Sequence, residues 1–203
     1  MLLLASASPR RRDLLTQAGY SFRVDSIPIL EEQRPGEAPV DMAQRLAREK
    51  AEAVYHACAL TCGQSNDPLL VLGADTVVVC GHDVLGKPVD EADAMRMLGL
   101  LSGRVHQVIT GVCVVSAVGV EVAAESTSVT VLSLSEEEIR AYVGTGEPMG
   151  KAGAYAIQGR AARWIPRIEG CYFNVVGLPL ARTAAMIEAA RRKMARVADD
   201  GFA

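Results

Sequence analysis

A segment rich in serine and arginine near the start of the sequence has the residue types that bind phosphate. An apolar run is followed by Ser6, Ser8, Arg10 and Arg11. Ser8 is expected to supply an N-cap hydroxyl, and the proline after it favours the first turn of a helix there. Helix N-termini attract anions through their N–H groups, and guanidinium groups bind phosphate oxygens in pairs. The segment therefore predicts a polyphosphate site, with an ordinary capped helix carrying surface arginines as the alternative.

An aspartate lies between two apolar runs in the first half of the sequence. Asp75 is flanked by residues 69–72 and 77–79, which are all leucine or valine. Because an unpaired buried carboxylate is costly, a metal ion, a lysine or several hydrogen bonds should face Asp75. The alternative is a turn aspartate that accepts bonds from nearby backbone N–H groups, since Gly73 suggests a bend in the strand.

Four other charged residues could complete such a site. Lys50 lies in a predicted helix, and Lys87 lies in a Gly-Lys-Pro turn after a strand. Either lysine could neutralise phosphate or could be solvated on the surface. Glu31 and Glu32 lie in a predicted loop, where they could bind a hard divalent cation through oxygen or remain solvated.

Other kinds of site are excluded by residue spacing. The glycine-rich residues 146–153 do not form a P-loop, because Thr145 stands at the first glycine position and Ala152 replaces the required serine or threonine. The histidines lack metal-ligand spacing, and the serines form no nucleophile elbow. Reduced thiols are predicted for the cysteines, since no Cys-x-x-Cys occurs among Cys58, Cys62, Cys80, Cys113 and Cys171.

The composition predicts one α/β domain over residues 1–203, with two lobes and no separable linker. Half of the residues are hydrophobic but only 4% are aromatic, so the core must be mainly aliphatic. A net charge of −3 without a basic stretch argues against a nucleic-acid partner. No segment resembles a secretion signal or reaches the ~20 apolar residues of a membrane helix, which predicts a cytoplasmic protein without membrane contact.

Hydrophobic periodicity and turn residues predict the elements that must position these side chains. Strands are predicted at residues 2–5, 22–27, 69–80 with an interruption at 73–76, 84–85, 105–115, 120–132 and 168–176. Helices are predicted at residues 9–19, 40–60, 90–101, 135–144 and 179–197, and a loop at 28–38. The helix at 135–144 begins with a capping box of Ser135 and Glu138, and residues 81–83 could turn a hairpin into the strand at 84–85. Asp75 would thus lie in a strand region, Lys50 on the longest helix that precedes it, and the arginines at the start of the first helix.

Eight short motifs occur in an order that is typical of one enzyme family. They are LASASPRR at 4–11, EEQR at 31–34, RLAREKA at 45–51, LGADT at 72–76, GKP at 86–88, LSGRVH at 101–106, GKAGAYAIQG at 150–159 and NVVGLPL at 174–180. Together they resemble the Maf family of nucleotide pyrophosphatases, and the resemblance spans roughly residues 2–180.

The resemblance implies an α/β fold like that of the inosine triphosphate pyrophosphatases, with a long mixed β-sheet, helices around it and a cleft between two lobes. It implies that Asp75 is the proton acceptor, and that substrate choice depends on Arg10, Thr76 and Gln158. The residues that resemble the family's phosphate-binding positions are Ser8, Arg10, Arg11, Lys50 and Lys87. Glu32 and Asp75 could hold Mg²⁺ or Mn²⁺.

The implied reaction is attack of water on the α-phosphorus of a nucleoside triphosphate, which releases pyrophosphate. Such a reaction needs a base, a divalent cation and positive charge around the leaving group. The sequence around Gln158 resembles that of the family branch that acts on dTTP and UTP. An amide side chain can form hydrogen bonds with the edge of a pyrimidine base. The alternatives are a non-catalytic nucleotide-binding regulator of cell division and a pyrophosphatase for modified purine nucleotides such as 7-methyl-GTP. The family also suggests a homodimer.

Overall fold

The computed structural model describes residues 1–61 and 68–200, so Cys62 lies outside the described residues. Its strands are β1 (Leu2–Ala5), β2 (Arg23–Asp25), β3 (Leu70–Cys80), β4 (Asp83–Leu85), β5 (Val105–Ser116), β6 (Gly119–Thr130) and β7 (Arg167–Glu169). Its helices are α1 (Pro9–Gln17), α2 (Pro39–Thr61), α3 (Glu91–Leu101), α4 (Glu136–Val143), α5 (Tyr172–Val176) and α6 (Leu180–Asp200). Short 3₁₀ turns occupy Ala152–Ala154 and Arg160–Trp164.

The predicted α/β class and mixed sheet are confirmed. Within the described residues the strands form a seven-stranded sheet in the order β2-β1-β3-β5-β6-β7, and β4 pairs with β3. Strand β1 runs parallel to β2 and to β3, with Leu4 opposite Val24 and Leu72. Strands β4 and β7 run antiparallel to β3 and β6. Across the described ranges, none of the helices has both the length and the apolar character needed to cross a membrane.

The chain divides into two compact units. The first comprises Met1–Asp75, Thr110–Glu125 and Gly177–Ala203, and the second comprises Thr76–Ile109 and Ser126–Val176. Strands β3, β5 and β6 each contribute residues to both units. The single-domain organisation stays a prediction.

The core of the first unit is formed by small and branched aliphatic residues of α2 and the strands. Two glycines allow α2 to come close to the sheet. A Cβ on Gly73 would lie 2.1 Å from the backbone oxygen of Ala47. A Cβ on Gly111 would lie 2.1 Å from the backbone oxygen of Ala43. No side chain fits into so short a distance. The cluster contains Leu3, Ala5, Ala47, Ala51, Val54, Val71, Cys113 and Val115.

The core of the second unit joins aliphatic residues of β3 to β6 with helices α3 and α4. Although the sequence has few aromatic residues, two of them meet here, because the rings of Tyr142 and Trp164 pack edge to face with centroids 5.1 Å apart. Around them lie Val78, Leu85, Leu98, Leu101, Val129 and Ile139. Helix α4 begins with the predicted capping box of Ser135 and Glu138.

Two predicted boundaries are wrong for identifiable reasons. Strand β3 runs without interruption through Gly73 and Asp75, because the glycine makes room for α2 and does not bend the strand. The predicted strand at 168–176 ends at Glu169, and Tyr172–Val176 is helical. The chain turns at Gly170, which has φ +129°, and the Asn174 amide then donates 2.9 Å hydrogen bonds to Val108 O and Thr127 Oγ1.

Candidate active site

The centre of the candidate site is a lysine between two carboxylates. Lys50 Nζ lies 2.5 Å from Asp75 Oδ1 and 2.5 Å from Glu31 Oε1. The side chains of Lys50 and Asp75 are only 13% and 10% exposed, whereas that of Glu31 is 36% exposed. The partner that a carboxylate in an apolar strand requires is therefore a lysine, with a second carboxylate at the solvent side.

The close approach of α2 to β3 places Lys50 beside Asp75. Side chains alternate along a strand, so Gly73 and Asp75 belong to the same face of β3. The backbone of Ala47 packs against Gly73, and Lys50 lies about one helical turn further along α2. The same register that requires a glycine at 73 therefore brings the lysine to the aspartate.

A network of charged side chains holds the loop that carries Glu31. Arg45 of α2 donates to Glu37 at 2.6 and 2.8 Å, to Glu49 at 3.2 Å and to the backbone oxygen of Glu32 at 3.0 Å. The Arg45 guanidinium holds the pKa of Glu37 at about 2, well below its usual value. Arg34 donates to Glu49 at 2.8 Å. The loop has no regular secondary structure, but these bonds fix its course along α2.

The arginine-rich segment is placed at the start of α1, where Arg11 is buried. Its Nε donates to the Gly177 carbonyl at 2.8 Å, and its Nη1 donates to Ser6 Oγ at 3.2 Å. Burial lowers the pKa of Arg11, and the nearby negative charge of Asp75 raises it. Burial also lowers the pKa of Arg10, which is half-buried. Arg11 thus links α1 to the turn at Gly177 and contributes positive potential near Asp75.

Ser8 occupies the N-cap position of α1 but does not act as a side-chain cap. Among the described residues, its hydroxyl makes no capping hydrogen bond to the helix. Its backbone N–H donates instead to Ser6 Oγ at 3.2 Å. The expectation of an N-cap hydroxyl was therefore right in position and wrong in bonding, and Ser6 is the serine that joins this turn to Arg11.

The other predicted residues are Glu32 of the same loop and three residues of the second unit. Glu32 is exposed, and it is Glu31, its neighbour, that contacts Lys50. Thr76, Lys87 and Gln158 belong to the second unit: Thr76 is half-buried in β3, Lys87 is exposed after β4, and Gln158 is exposed in the turn that follows residues 152–154.

The donor set of the first unit fits a hard divalent cation. Glu31 and Asp75 offer carboxylate oxygens, and Mg²⁺ is typically bound by one or two carboxylates together with waters and substrate phosphates. Within the described ranges, no group of three or more histidine, cysteine, aspartate or glutamate side chains forms a larger ligand set. His106 is 2% exposed, and burial lowers its pKa to about 4, so it is neutral at physiological pH.

Sequence reasoning missed Glu31 as the contact of Lys50, and it missed Arg45 and Glu37 as the support of the loop. The two adjacent glutamates were equivalent in the sequence, because a loop has no side-chain periodicity that separates neighbours. The spacing gave no signal for Arg45, because five residues of α-helix rotate its side chain by about 140° from that of Lys50.

Comparisons with known proteins agree over nearly the whole chain. The family model described as Maf-like protein matches residues 1–190. Proteins named dTTP/UTP pyrophosphatase are similar to this chain: that of Koribacter versatilis is 52% identical over 189 residues, covering 93% of this chain and 94% of the relative. The one from Pelotomaculum thermopropionicum is 53% identical over 189 residues, covering 92% and 95%. That of Geobacter sulfurreducens is 55% identical over 181 residues, covering 88% and 91%. The resemblance of the eight motifs is thereby confirmed, and the chain belongs to the Maf family.

Proposed function

We propose that this chain hydrolyses dTTP and UTP to the nucleoside monophosphate and pyrophosphate. The observation that carries the proposal is the Lys50–Asp75 pair, with Glu31 on its solvent side, in a chain about half identical to proteins named dTTP/UTP pyrophosphatase. A protein that only bound nucleotides would need cationic side chains for the phosphates. It would not need a nearly buried carboxylate among them.

In the proposed reaction, Asp75 accepts a proton from the water that attacks the α-phosphorus. Lys50 holds the carboxylate in one orientation through its 2.5 Å contact, so the base is positioned before the substrate binds. Arg10, Ser8 and the N–H groups at the start of α1 bind phosphate oxygens. Arg11 adds positive potential and, through Gly177, keeps the start of α1 in place.

We propose that Glu31 and Asp75, rather than Glu32 and Asp75, hold the divalent cation. A Mg²⁺ or Mn²⁺ ion there would neutralise charge that develops on the phosphates. Glu31 and Asp75 already converge on Lys50, and the glutamate side chain that contacts this lysine is that of Glu31 rather than that of Glu32.

Base selectivity is assigned to Gln158, with Thr76 and Lys87 as further substrate residues of the second unit. Phosphates are identical in all nucleotides, so arginines and lysines that bind them cannot distinguish one base from another. An exposed amide offers a donor and an acceptor that match the N3–H and carbonyl of uracil or thymine.

The test is a panel of dTTP, UTP, CTP, GTP and 7-methyl-GTP, with and without EDTA, in which monophosphate, pyrophosphate and orthophosphate are measured separately. We expect pyrophosphate and monophosphate from dTTP and UTP, with ¹⁸O from labelled water in the monophosphate. A preference for 7-methyl-GTP would assign the chain to modified purines. Binding of dTTP without turnover would identify a nucleotide-binding regulator.

Asp75→Asn tests the base within the same panel. We expect it to lower kcat by roughly 10²- to 10⁴-fold, because the amide can keep a hydrogen bond but cannot accept the proton. Asp41→Asn, an exposed position in the first turn of α2, is the matched control and should retain full activity. Normal turnover in Asp75→Asn would remove Asp75 as the base.

We also propose a cytoplasmic homodimer. The cytoplasmic assignment is supported by Cys80, Cys113 and Cys171, which are thiols and are typical of a reducing compartment. The dimer is supported by the family resemblance, and light scattering of the purified full chain tests it. A single species at 21.6 kDa would contradict the dimer.

A further inference from the structure

The turn that carries Gln158 is held on both sides by two side chains from an earlier part of the second unit. Two residues before Gln158, the Ala156 N–H donates to the Tyr142 hydroxyl at 3.2 Å. Two residues after it, the Arg160 N–H donates to both carboxylate oxygens of Glu147, at 3.0 and 3.3 Å. Gln158 itself is exposed, so its position depends on the backbone to which it is attached.

The two supporting side chains are also bonded to each other. The Tyr142 hydroxyl donates to Glu147 Oε1 at 2.8 Å while it accepts from Ala156. Burial raises the pKa of Tyr142, and the bond to Glu147 raises it further, so the hydroxyl keeps its proton for this bond. Tyr142 is 2% exposed, and its ring packs against that of Trp164. Tyr142 is thus held by packing as well as by its hydrogen bonds.

A side chain at residue 159 would displace the Glu147 carboxylate from its present position. A Cβ on Gly159 would lie 2.1 Å from Glu147 Oε1, so Glu147 contacts the backbone directly beside Gln158. The backbone just before the turn is also unusual, because Gly153 and Ala154 have φ of +70° and +59°. Left-handed backbone at a non-glycine residue is kept only where the surroundings determine it.

We infer that Glu147 and Tyr142 are positioning residues that fix the Gln158 turn and thereby set the selectivity for the pyrimidine base. This inference rests on the proposed function. A rigid turn presents the amide in one orientation, so the donor and acceptor match one base edge without an ordering cost at binding. Without the support, Gln158 would sample several orientations, and the preference for dTTP and UTP would decrease.

The experiment compares Tyr142→Phe, Glu147→Gln and Glu147→Ala with Gln158→Ala. For Tyr142→Phe and Glu147→Ala we expect kcat/KM for dTTP to fall about tenfold, mainly through KM, with kcat/KM for GTP changed less than about twofold. Glu147→Gln keeps an oxygen that can accept from the Arg160 N–H, so it should recover part of the selectivity. Glu137→Gln, exposed in the first turn of α4, makes the same charge change away from the turn and should leave the dTTP to GTP ratio unchanged.

A double-mutant cycle separates positioning from general destabilisation. If Tyr142 acts through Gln158, then Tyr142→Phe in the Gln158→Ala background should cost almost nothing further in selectivity. Additive losses, or an equal fall for dTTP and GTP in both Tyr142→Phe and Glu147→Gln, would overturn the inference. Failure of the proposed function is recognised separately, because the unmodified chain would then show no preference for dTTP and UTP over GTP.

Discussion

Lys50 is the residue on which the charge balance of the candidate site depends. It lies 2.5 Å from each of two carboxylates, and both Lys50 and Asp75 are nearly buried. Two carboxylates that share one ammonium group repel each other, so removal of the lysine would take away the positive charge that lies between Glu31 and Asp75. The positive charge of Lys50 is therefore needed to keep two acidic side chains converging on one point.

The two adjacent glutamates provide a direct comparison at the residue scale. We expect Glu31→Gln to lower kcat/KM for dTTP by about ten- to hundredfold, because it removes a charge that contacts Lys50 and is proposed to bind the cation. Glu32→Gln changes the same charge at an exposed neighbour and should stay within about twofold. The measurement is kcat/KM at saturating Mg²⁺. A larger effect in Glu32→Gln would return the metal-binding role to Glu32.

The buried His106 makes stability depend on pH. Its Nε2 is 2.8 Å from the Tyr155 hydroxyl, and burial lowers its pKa from 6.5 to about 4. The His106 imidazole therefore binds a proton more readily in the unfolded chain than in the folded one. The stability that comes from keeping His106 neutral is fully present above pH about 6.5 and is lost as the pH falls toward 4. By pH 4.5 the loss from this group should be about 2–3 kcal/mol.

Urea unfolding of His106→Gln at several pH values checks this prediction. The variant has no proton to gain, so the fall in its free energy of unfolding between pH 7 and 4.5 should be shallower than in the unmodified chain. His82→Gln, exposed after β3, is the control and should follow the unmodified chain. Parallel curves for His106→Gln and the unmodified chain would show that His106 does not titrate in this range.

At the scale of elements, the contact of α2 with the sheet depends on two glycines. Gly73 on β3 and Gly111 on β5 leave space for the backbone oxygens of Ala47 and Ala43, which lie one helical turn apart on α2. The glycines therefore form a pair of contact points for one helix. Since α2 carries both Lys50 and Arg45, this packing determines where the lysine and the Glu31 loop lie.

Gly73→Ala should be destabilising and should also reduce activity. The added Cβ would lie 2.1 Å from a backbone oxygen, so α2 must move, at a cost of about 1–3 kcal/mol or more, and Lys50 must move with it. Gly99→Ala is the matched control, because Gly99 lies in α3 with nothing within 4 Å of an added Cβ. That change should increase the free energy of unfolding by about 0.5–1 kcal/mol. Thermal unfolding and dTTP turnover give both results. Equal effects of the two changes would contradict the role of Gly73.

Local sequence patterns predicted most elements because their boundaries depend on neighbouring residues. The capping box at Ser135, the proline after Ser8 and the turn before Asp83 each determine a boundary through contacts a few residues away. The need for glycine at position 73 could not be predicted from neighbouring residues, because it arises from contact with α2, more than twenty residues earlier in the chain. Glu31 likewise depends on Arg45 through tertiary contacts. The acidic and basic residue types of the site were predictable, but their pairing was not.

At the scale of the whole molecule, the fold should not require the divalent cation. Lys50 already balances Glu31 and Asp75, and the two cores are formed without a metal. We expect EDTA to abolish dTTP hydrolysis while the melting temperature changes by less than about 2 °C, and Mg²⁺ to restore the activity. Calorimetry with and without EDTA measures this. A large decrease in melting temperature would indicate a structural metal instead.

The division of the chain into two units restricts how sequence can be exchanged between relatives. The backbone passes from one unit to the other after Asp75, Ile109, Glu125 and Val176, so the second unit consists of two separate stretches of the gene product. A single crossover cannot transfer it intact. The stretch Ser126–Val176 nevertheless contains Tyr142, Glu147 and Gln158 together, while Asp75, Lys50 and Arg11 lie outside it. Recombination at its two ends would move Gln158 together with the two residues that support its turn, and would leave Asp75, Lys50 and Arg11 of the recipient untouched.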